Sequence, residues 1–241
     1  MKLLAFETAT EACSVAVWID GAVHEHFEIA PRRHAELALP WAEELLAEAG
    51  IAKSQLDAIT VGRGPGAFTG VRLAIALAQG IALALDRPVV TVSTLAALAM
   101  ASRPSLPRSP GQSIQILAAI DARMGEVYSA AFARAGDDDV VALTTETVAR
   151  PENVVLPDGA GSWFGAGTGF AAGEGVLQQR LQARLAGVDA TALPHAADVA
   201  RLAASAFARG EALPPERAEP AYLRNNVALT LLEQQALRDS R

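Results

Sequence analysis

The sequence predicts an α/β protein of two duplicated lobes, each a mixed sheet with flanking helices. Three observations carry that prediction. From residue 3 onward the apolar patterns read strand, strand, strand, helix, strand, helix, strand, helix. A stretch rich in Pro and Ser, from Arg103 to Gly111, then interrupts the pattern. Beyond it the pattern restarts with a hairpin whose first strand ends in an acid, Asp121, just as the first strand of the chain ends in Glu7.

Each element has its own signal. Alternating apolar residues mark strands at 3–6, 14–19 and 23–29, the last two joined by a turn at Asp20-Gly21. A helix is expected over about 33–49 with Gly50 in the left-handed position after it. Pro40 inside that span asks for a kink or a later start. A strand at 58–61, a helix at 68–85 and a strand at 89–92 follow, and Ser93 or Thr94 caps a short helix. In the second half, 114–120 reads as a strand, 121–125 as a turn and 126–133 as a strand. Residues 161–170 hold a strand and a glycine-rich turn, and 196–208 and 221–238 read as helices. The lobes are therefore expected at 1–102 and 114–220, joined by 103–113.

Composition narrows the function. Hydrophobic residues make up 51% and charged residues 20% of the 241, a globular balance. The single cysteine, Cys13, excludes an intrachain disulfide and reads as a small core residue in a strand. Met1-Lys2 leads straight into the first strand, so no secretory leader is expected, and the apolar run 73–85 is short for a membrane span. A cytoplasmic protein with no membrane partner is the expectation. A net charge of −7 argues against autonomous grip on nucleic acid, which needs a basic face.

The most informative segment is Gly62-Arg63-Gly64-Pro65-Gly66-Ala67-Phe68-Thr69-Gly70-Val71-Arg72, a glycine-punctuated turn from a buried strand into a helix. It is no P-loop, because no lysine follows the glycines. Gly62-x-Gly64-x-x-Ala67 matches a dinucleotide fingerprint, but Pro65 sits inside it and Asp86 follows a helix instead of ending a strand. By itself the segment is a tight strand-to-helix connection.

In company it says more. Residues 64–72 resemble the signature of the TsaB family, the bacterial partner subunits in the synthesis of N6-threonylcarbamoyladenosine in tRNA. Four further segments are similar to that family in the same order: residues 3–16 to its first hairpin, Arg33-His34-Ala35-Glu36 to a helix start, and the runs 121–128 and 220–225 to its later motifs. Glu7 is a departure, standing where many relatives carry Asp. The resemblance covers the whole chain and implies the fold of the actin and sugar-kinase superfamily, with the last helix (221–241) packing back on the first half. That superfamily binds nucleotide phosphates between its lobes with an acidic, hydroxyl-rich first turn. Glu7, Thr8, Thr10 and Glu11 are what such a turn offers here; turn chemistry alone is the plainer reading, since two glutamates repel a phosphate without a cation.

The resemblance also says what is missing. The catalytic paralogue TsaD carries a metal-binding His-x-x-x-His pair, and Thr94 and Leu98 occupy the matching positions. No metal site and no catalytic residue is therefore expected. His24 and His26 alternate on one strand face without a third ligand, while His34 and His195 sit at helix starts. What remains is a surface. The helix at 68–85 is apolar on every side, with only Arg72 and Gln79 polar in its body. Ala74, Ala78 and Ala82 form a small-residue row, and Leu37, Trp41 and Leu45 mark a second apolar face on the preceding helix. The resemblance implies that these helices meet TsaD, that the ATPase TsaE joins, and that tRNA is reached only through the complex. It further implies self-association through the same surface in the absence of TsaD. The expected contact set is Gly64, Pro65 and Gly66 in the loop with Phe68, Arg72, Ala74, Ala78, Ile81, Leu37 and Trp41 on the helices. No cofactor is expected on the chain alone, with room for a nucleotide at the complex interface. A stand-alone actin-like ATPase or phosphotransferase and, behind it, a metallopeptidase are the competing readings.

Overall fold

The computed structural model describes residues 1–102, 114–136, 138–158 and 162–224. The first sheet holds β1 (Lys2–Glu7), β2 (Ala12–Ile19), β3 (Ala22–Ile29), β4 (Ala58–Gly62) and β5 (Val89–Val92), in the order β3-β2-β1-β4-β5. The second sheet has β6 (Gln115–Arg123), β7 (Glu126–Arg134), β8 (Val140–Ala142), β10 (Trp163–Ala166) and β11 (Leu185–Asp189), in the order β11-β10-β6-β7-β8. The short β9 (Thr147–Ala149) pairs with β7 beside β8. Replacing β6 for β1, β7 for β2, β8 and β9 for β3, β10 for β4 and β11 for β5 turns one order into the other. Each sheet has an antiparallel hairpin on one side and parallel strands on the other. The duplication expected from Glu7 and Asp121 is real at the level of topology, and the fold is the actin-like pair of lobes.

Helices α1 (His34–Glu48) and α2 (Phe68–Leu85) cover one face of the first sheet. The period-2 pattern decides which residues they meet: Leu4 and Phe6 of β1 with Cys13, Val15 and Val17 of β2 point to them. The alternate residues Leu3, Ala5 and Ala16 point the other way, onto α5 (Ala196–Ala208). Helix α3 (Thr94–Ala101) lies between the sheets: Ala97 and Met100 join the α5 side, while Leu95, Leu98 and Ala99 pack on Ile116, Ala118 and Ile120 of β6. Helix α4 (Ala172–Leu181) covers the far face of the second sheet through Leu177 and Leu181. Helices therefore cross the expected boundary in both directions, α3 towards the second sheet and α5 back to the first.

Several local details differ from expectation for identifiable reasons. Helix α1 is continuous through Pro40. It ends with Gly50 at φ +65°, where Gly50 N–H and Ile51 N–H bond the carbonyls of Ala47 and Leu46, a Schellman closure. The second hairpin turns more tightly than the five residues expected. β6 runs on to Arg123, which pairs with Glu126, and Arg123, Met124 and Gly125 all take positive φ. Residues 221–224 are not helical, and the rest of the expected last helix lies outside the described residues.

Candidate functional site

The turn after β1, the loop after β4 and the start of α3 form one knot. Glu7, fully buried, accepts hydrogen bonds from Ala9 N–H at 2.8 Å and from the Thr94 hydroxyl at 2.9 Å. The Thr94 oxygen in turn accepts Gly64 N–H at 3.1 Å, and Thr94 N–H donates back to the Gly64 carbonyl at 2.9 Å. Thr8 donates its hydroxyl to the Gly70 carbonyl at 2.7 Å, and Ala67 N–H reaches the Ala9 carbonyl at 2.7 Å. The glycines serve this contact. A Cβ on Gly62 would lie 1.9 Å from Glu7 Oε2, one on Gly66 2.4 Å from the Ala9 oxygen, and one on Gly70 1.9 Å from the Thr8 oxygen. The loop is glycine-rich so that the β1 turn can lie directly on it.

Burial raises the Glu7 carboxyl to about 7, against the opposing pull of the bonds from Ala9 and Thr94. Thr10 is buried and offers its oxygen to Ala12 N–H at 3.4 Å, whereas Glu11 is exposed at the mouth of a cleft. Of the four residues singled out in the first turn, Glu7 and Thr8 are thus committed inside the knot, while Thr10 and Glu11 border the cleft. Thr94 and Leu98 are both buried, the hydroxyl already engaged and the isobutyl group packed in the core between the lobes; neither fits a metal ion.

The cleft, a cavity of about 680 Å³, opens between the lobes. Thr10, Glu11 and His34 line one wall, Asp121, Tyr128 and Thr168 the other. Asp121 accepts from Arg123 at 2.8 Å, and Thr168 Oγ1 accepts Asp121 N–H at 3.1 Å. The strand end of the second lobe thus faces open space, unlike its counterpart. Arg63 spans the lobes to Glu146 with two contacts of 3.1 and 3.2 Å.

The helix face divides the expected contact residues. Ala74, Ala78 and Ala82 are fully buried against the protein's own sheet, and Leu37, Trp41 and Ile81 pack half-buried at its edge. The outward face is instead Phe68, Arg72, Ala76, Gly80, Leu83 and Ala84. Phe68 is 58% and Leu83 64% exposed, and a Cβ on Gly80 would meet nothing. The small residues a partner can approach are therefore Ala76, Gly80 and Ala84. The expectation had a row of the right kind two residues out of phase. Gln79 does not mark the outward face, because its amide is turned inward to the carbonyls of Pro215 and Ala218. Arg72 carried the correct phase: four, eight and twelve residues beyond it lie Ala76, Gly80 and Ala84. Sequence reasoning also missed the role of Tyr222. Arg72 lies 3.6 Å over the Phe68 ring and donates to the Tyr222 hydroxyl at 2.7 Å, forming an exposed aromatic-arginine cluster at the head of α2. Such residues dominate binding energy at protein interfaces.

Other groupings of reactive residues have structural roles. Ser14, Glu25 and His195 touch, but Ser14 donates to Glu25 at 2.6 Å and accepts Ala196 N–H at 2.8 Å, while His195 holds the other Glu25 oxygen at 3.0 Å. Both bind the carboxylate and neither activates the other, so the group caps α5. Cys13 is buried, and desolvation aided by Glu28 pushes its thiol up to about 11, far from a nucleophile. Among the described residues no three His, Cys, Asp or Glu side chains gather as metal ligands.

Comparison with known proteins agrees with this anatomy. The family model described as TsaD, tRNA N6-adenosine threonylcarbamoyltransferase, matches residues 25–231. The tRNA threonylcarbamoyladenosine biosynthesis protein TsaB of Escherichia coli (strain K12) is 42% identical over 95% of this chain and 96% of its own length. The TsaB of Haemophilus influenzae is 37% identical over 94% and 95% respectively. The crystallised YeaZ from Pseudomonas aeruginosa superposes with a TM-score of 0.80 at 46% identity, covering 92% of this chain and 99% of that one.

Proposed function

Because the chain belongs to the TsaB (YeaZ-like) family, within the wider family to which TsaD gives its name, we propose that it is the partner subunit and not the catalyst of threonylcarbamoyl transfer. It serves in the biosynthesis of N6-threonylcarbamoyladenosine in tRNA. The observation that carries the non-catalytic reading is the knot around Glu7. The strand-end turn that would face a phosphate is filled by the chain's own glycine loop, and Thr94 and Leu98 stand where a metal would need imidazoles. TsaD supplies the metal and the transfer chemistry.

The contribution of this chain is the outward face of α2, flanked by α1. Phe68 and Arg72 anchor one end of the face, and the row Ala76, Gly80 and Ala84 lets a partner helix approach closely. Of the loop residues expected in the contact set, Gly64 and Pro65 are buried and Gly66 is half-buried, so they lie behind the face and set where it begins. TsaE joins the assembly, tRNA is bound through the complex, and the chain by itself holds no cofactor; a nucleotide belongs at the junction. Without TsaD a second copy takes the same face. The work is cytoplasmic, where the tRNA is. Reconstitution tests the reading: TsaD and TsaE with tRNA, ATP and threonylcarbamoyl adenylate should form the modified nucleoside only when this chain is added. Modification at the same rate without it, or by this chain in place of TsaD, would overturn the proposal.

A further inference from the structure

We propose that Glu7 and Thr94 are positioning residues, bracing the segment 64–68 in the conformation that presents the head of α2 to the partner subunit. The inference rests on the partner-subunit reading and adds to it the residues that set the contact face. Gly64 is gripped on both sides by Thr94: its N–H donates to Thr94 Oγ1 at 3.1 Å and its carbonyl accepts Thr94 N–H at 2.9 Å. Gly64 takes φ +89°, which the glycine tolerates but does not select. The two bonds are what fix it.

Thr94 is itself fixed by Glu7, which accepts its hydroxyl proton at 2.9 Å and so leaves the hydroxyl lone pairs for Gly64. Glu7 makes no ion pair with a cation among the described residues. A buried acid without a counter-charge is a poor stabiliser, and an apolar side chain of the same shape would pack at lower cost. Its value lies in two strong acceptor oxygens pointing at once to Ala9 and Thr94. Gly62 leaves the room: any Cβ there would strike the carboxylate. Since Thr94 opens α3, which is packed against β6, the brace also anchors the loop to the second lobe.

Burial raises the Glu7 carboxyl to about 7, so protonation as pH falls through the neutral range turns one of these acceptor oxygens into a hydroxyl and loosens the brace, even though the neutral form costs less to bury. The other titratable groups on the surrounding elements are Glu11 on its own turn, Arg63 on the loop, paired to Glu146, His34 at the start of α1, which contacts the Thr10 carbonyl, and Arg72 on α2, bonded to Tyr222. Beyond Ser14, opposite Glu7, lie Glu25 paired with His195 and Asp198 paired with Arg201 on α5; α3 carries none. The test is amide hydrogen exchange on the isolated chain together with affinity for TsaD, for wild type, Thr94→Val, Thr94→Ser and Glu7→Gln. Thr94→Val should speed exchange at Gly64 about tenfold and weaken the complex about tenfold, and Thr94→Ser should restore both. Wild-type affinity should fall as pH drops from about 8 to about 6, and Glu7→Gln should remove the Glu7 part of that fall. If Thr94→Val fails to fold, Glu7→Gln carries both readouts. Unchanged exchange at Gly64, or faster exchange with wild-type affinity, would overturn the proposal. Absence of any wild-type complex would instead bring down the partner-subunit reading and this proposal with it.

Discussion

The two lobes repeat one another strand for strand, yet their equivalent acids live in opposite surroundings. Glu7 ends β1, is 1% exposed, makes no ion pair among the described residues and accepts from the Ala9 N–H and the Thr94 hydroxyl. Asp121 stands at the matching end of β6, is 28% exposed, pairs with Arg123 and borders the cleft. The glycine turns that follow show the same contrast in degree. In the first lobe the added Cβ atoms would strike the Glu7 carboxylate and the turn's own carbonyls at 1.9–2.4 Å. In the second, Gly167 and Gly169 meet Ala119 at 2.3 and 2.8 Å and leave Asp121 free to face solvent. A duplicated frame thus keeps a cleft on one side and seals the other. In the sealed half, turn chemistry that suits a ligand has become part of the core.

The contrast can be broken by mutation, beginning where the effect is greatest. Ala78→Arg places a charge in the first lobe's core and should cost more than about 4 kcal/mol, seen as loss of the cooperative urea transition. Gly80→Arg, two residues on, should leave stability within about 0.5 kcal/mol. Gly70→Ala forces a methyl group into the Thr8 carbonyl and should cost about 3 kcal/mol in urea unfolding, more than Gly169→Ala in the second lobe.

Glu7→Gln separates the two acids by pH. The folded carboxyl lies at about 7, above the ordinary 4.5, so the wild-type protein loses stability as pH rises from 4.5 to 7 and the deficit is constant above. The substitution should abolish that slope, worth on the order of 2–3 kcal/mol at pH 8, while Asp121→Asn should leave the profile within about 0.5 kcal/mol of wild type. The smallest effect is expected at the α5 cap. Burial pushes His195 down, but the Glu25 contact outweighs it and the net shift is upward; burial likewise pushes Glu25 up, and His195 and Ser14 bring it below its ordinary value. The contact is therefore fully present between the ordinary 4.5 of Glu25 and 6.5 of His195. It weakens as pH falls below that window or rises through the folded His195 value. His195→Ala should cost about 1 kcal/mol near pH 6 and less at pH 9, measured by thermal unfolding.

Much of this anatomy was legible in the sequence because it rests on periodicity. α2, β5 and α5 stand where the patterns put them, and Ser93 caps α3 by accepting Ala96 N–H at 3.1 Å. Contacts distant in sequence were not legible. Nothing in the spacing of Glu7, Gly64 and Thr94 announces that three loops converge, and an apolar helix gives no phase by itself. Gln79, one of the two polar residues in the body of α2, is turned inward, because a distant strap at 215–218 supplies its acceptors. Likewise Tyr222 was noticed as part of a motif, but its bond to Arg72 spans 150 residues.

The most direct test of the central claim is the mass, by size exclusion with light scattering, of the complex formed with TsaD by wild type and by Gly80→Arg. A heteromeric complex with wild type that is lost with Gly80→Arg, both chains folded, is the expected result. A complex that survives Gly80→Arg with wild-type affinity would contradict the placement of the contact on the outward face of α2.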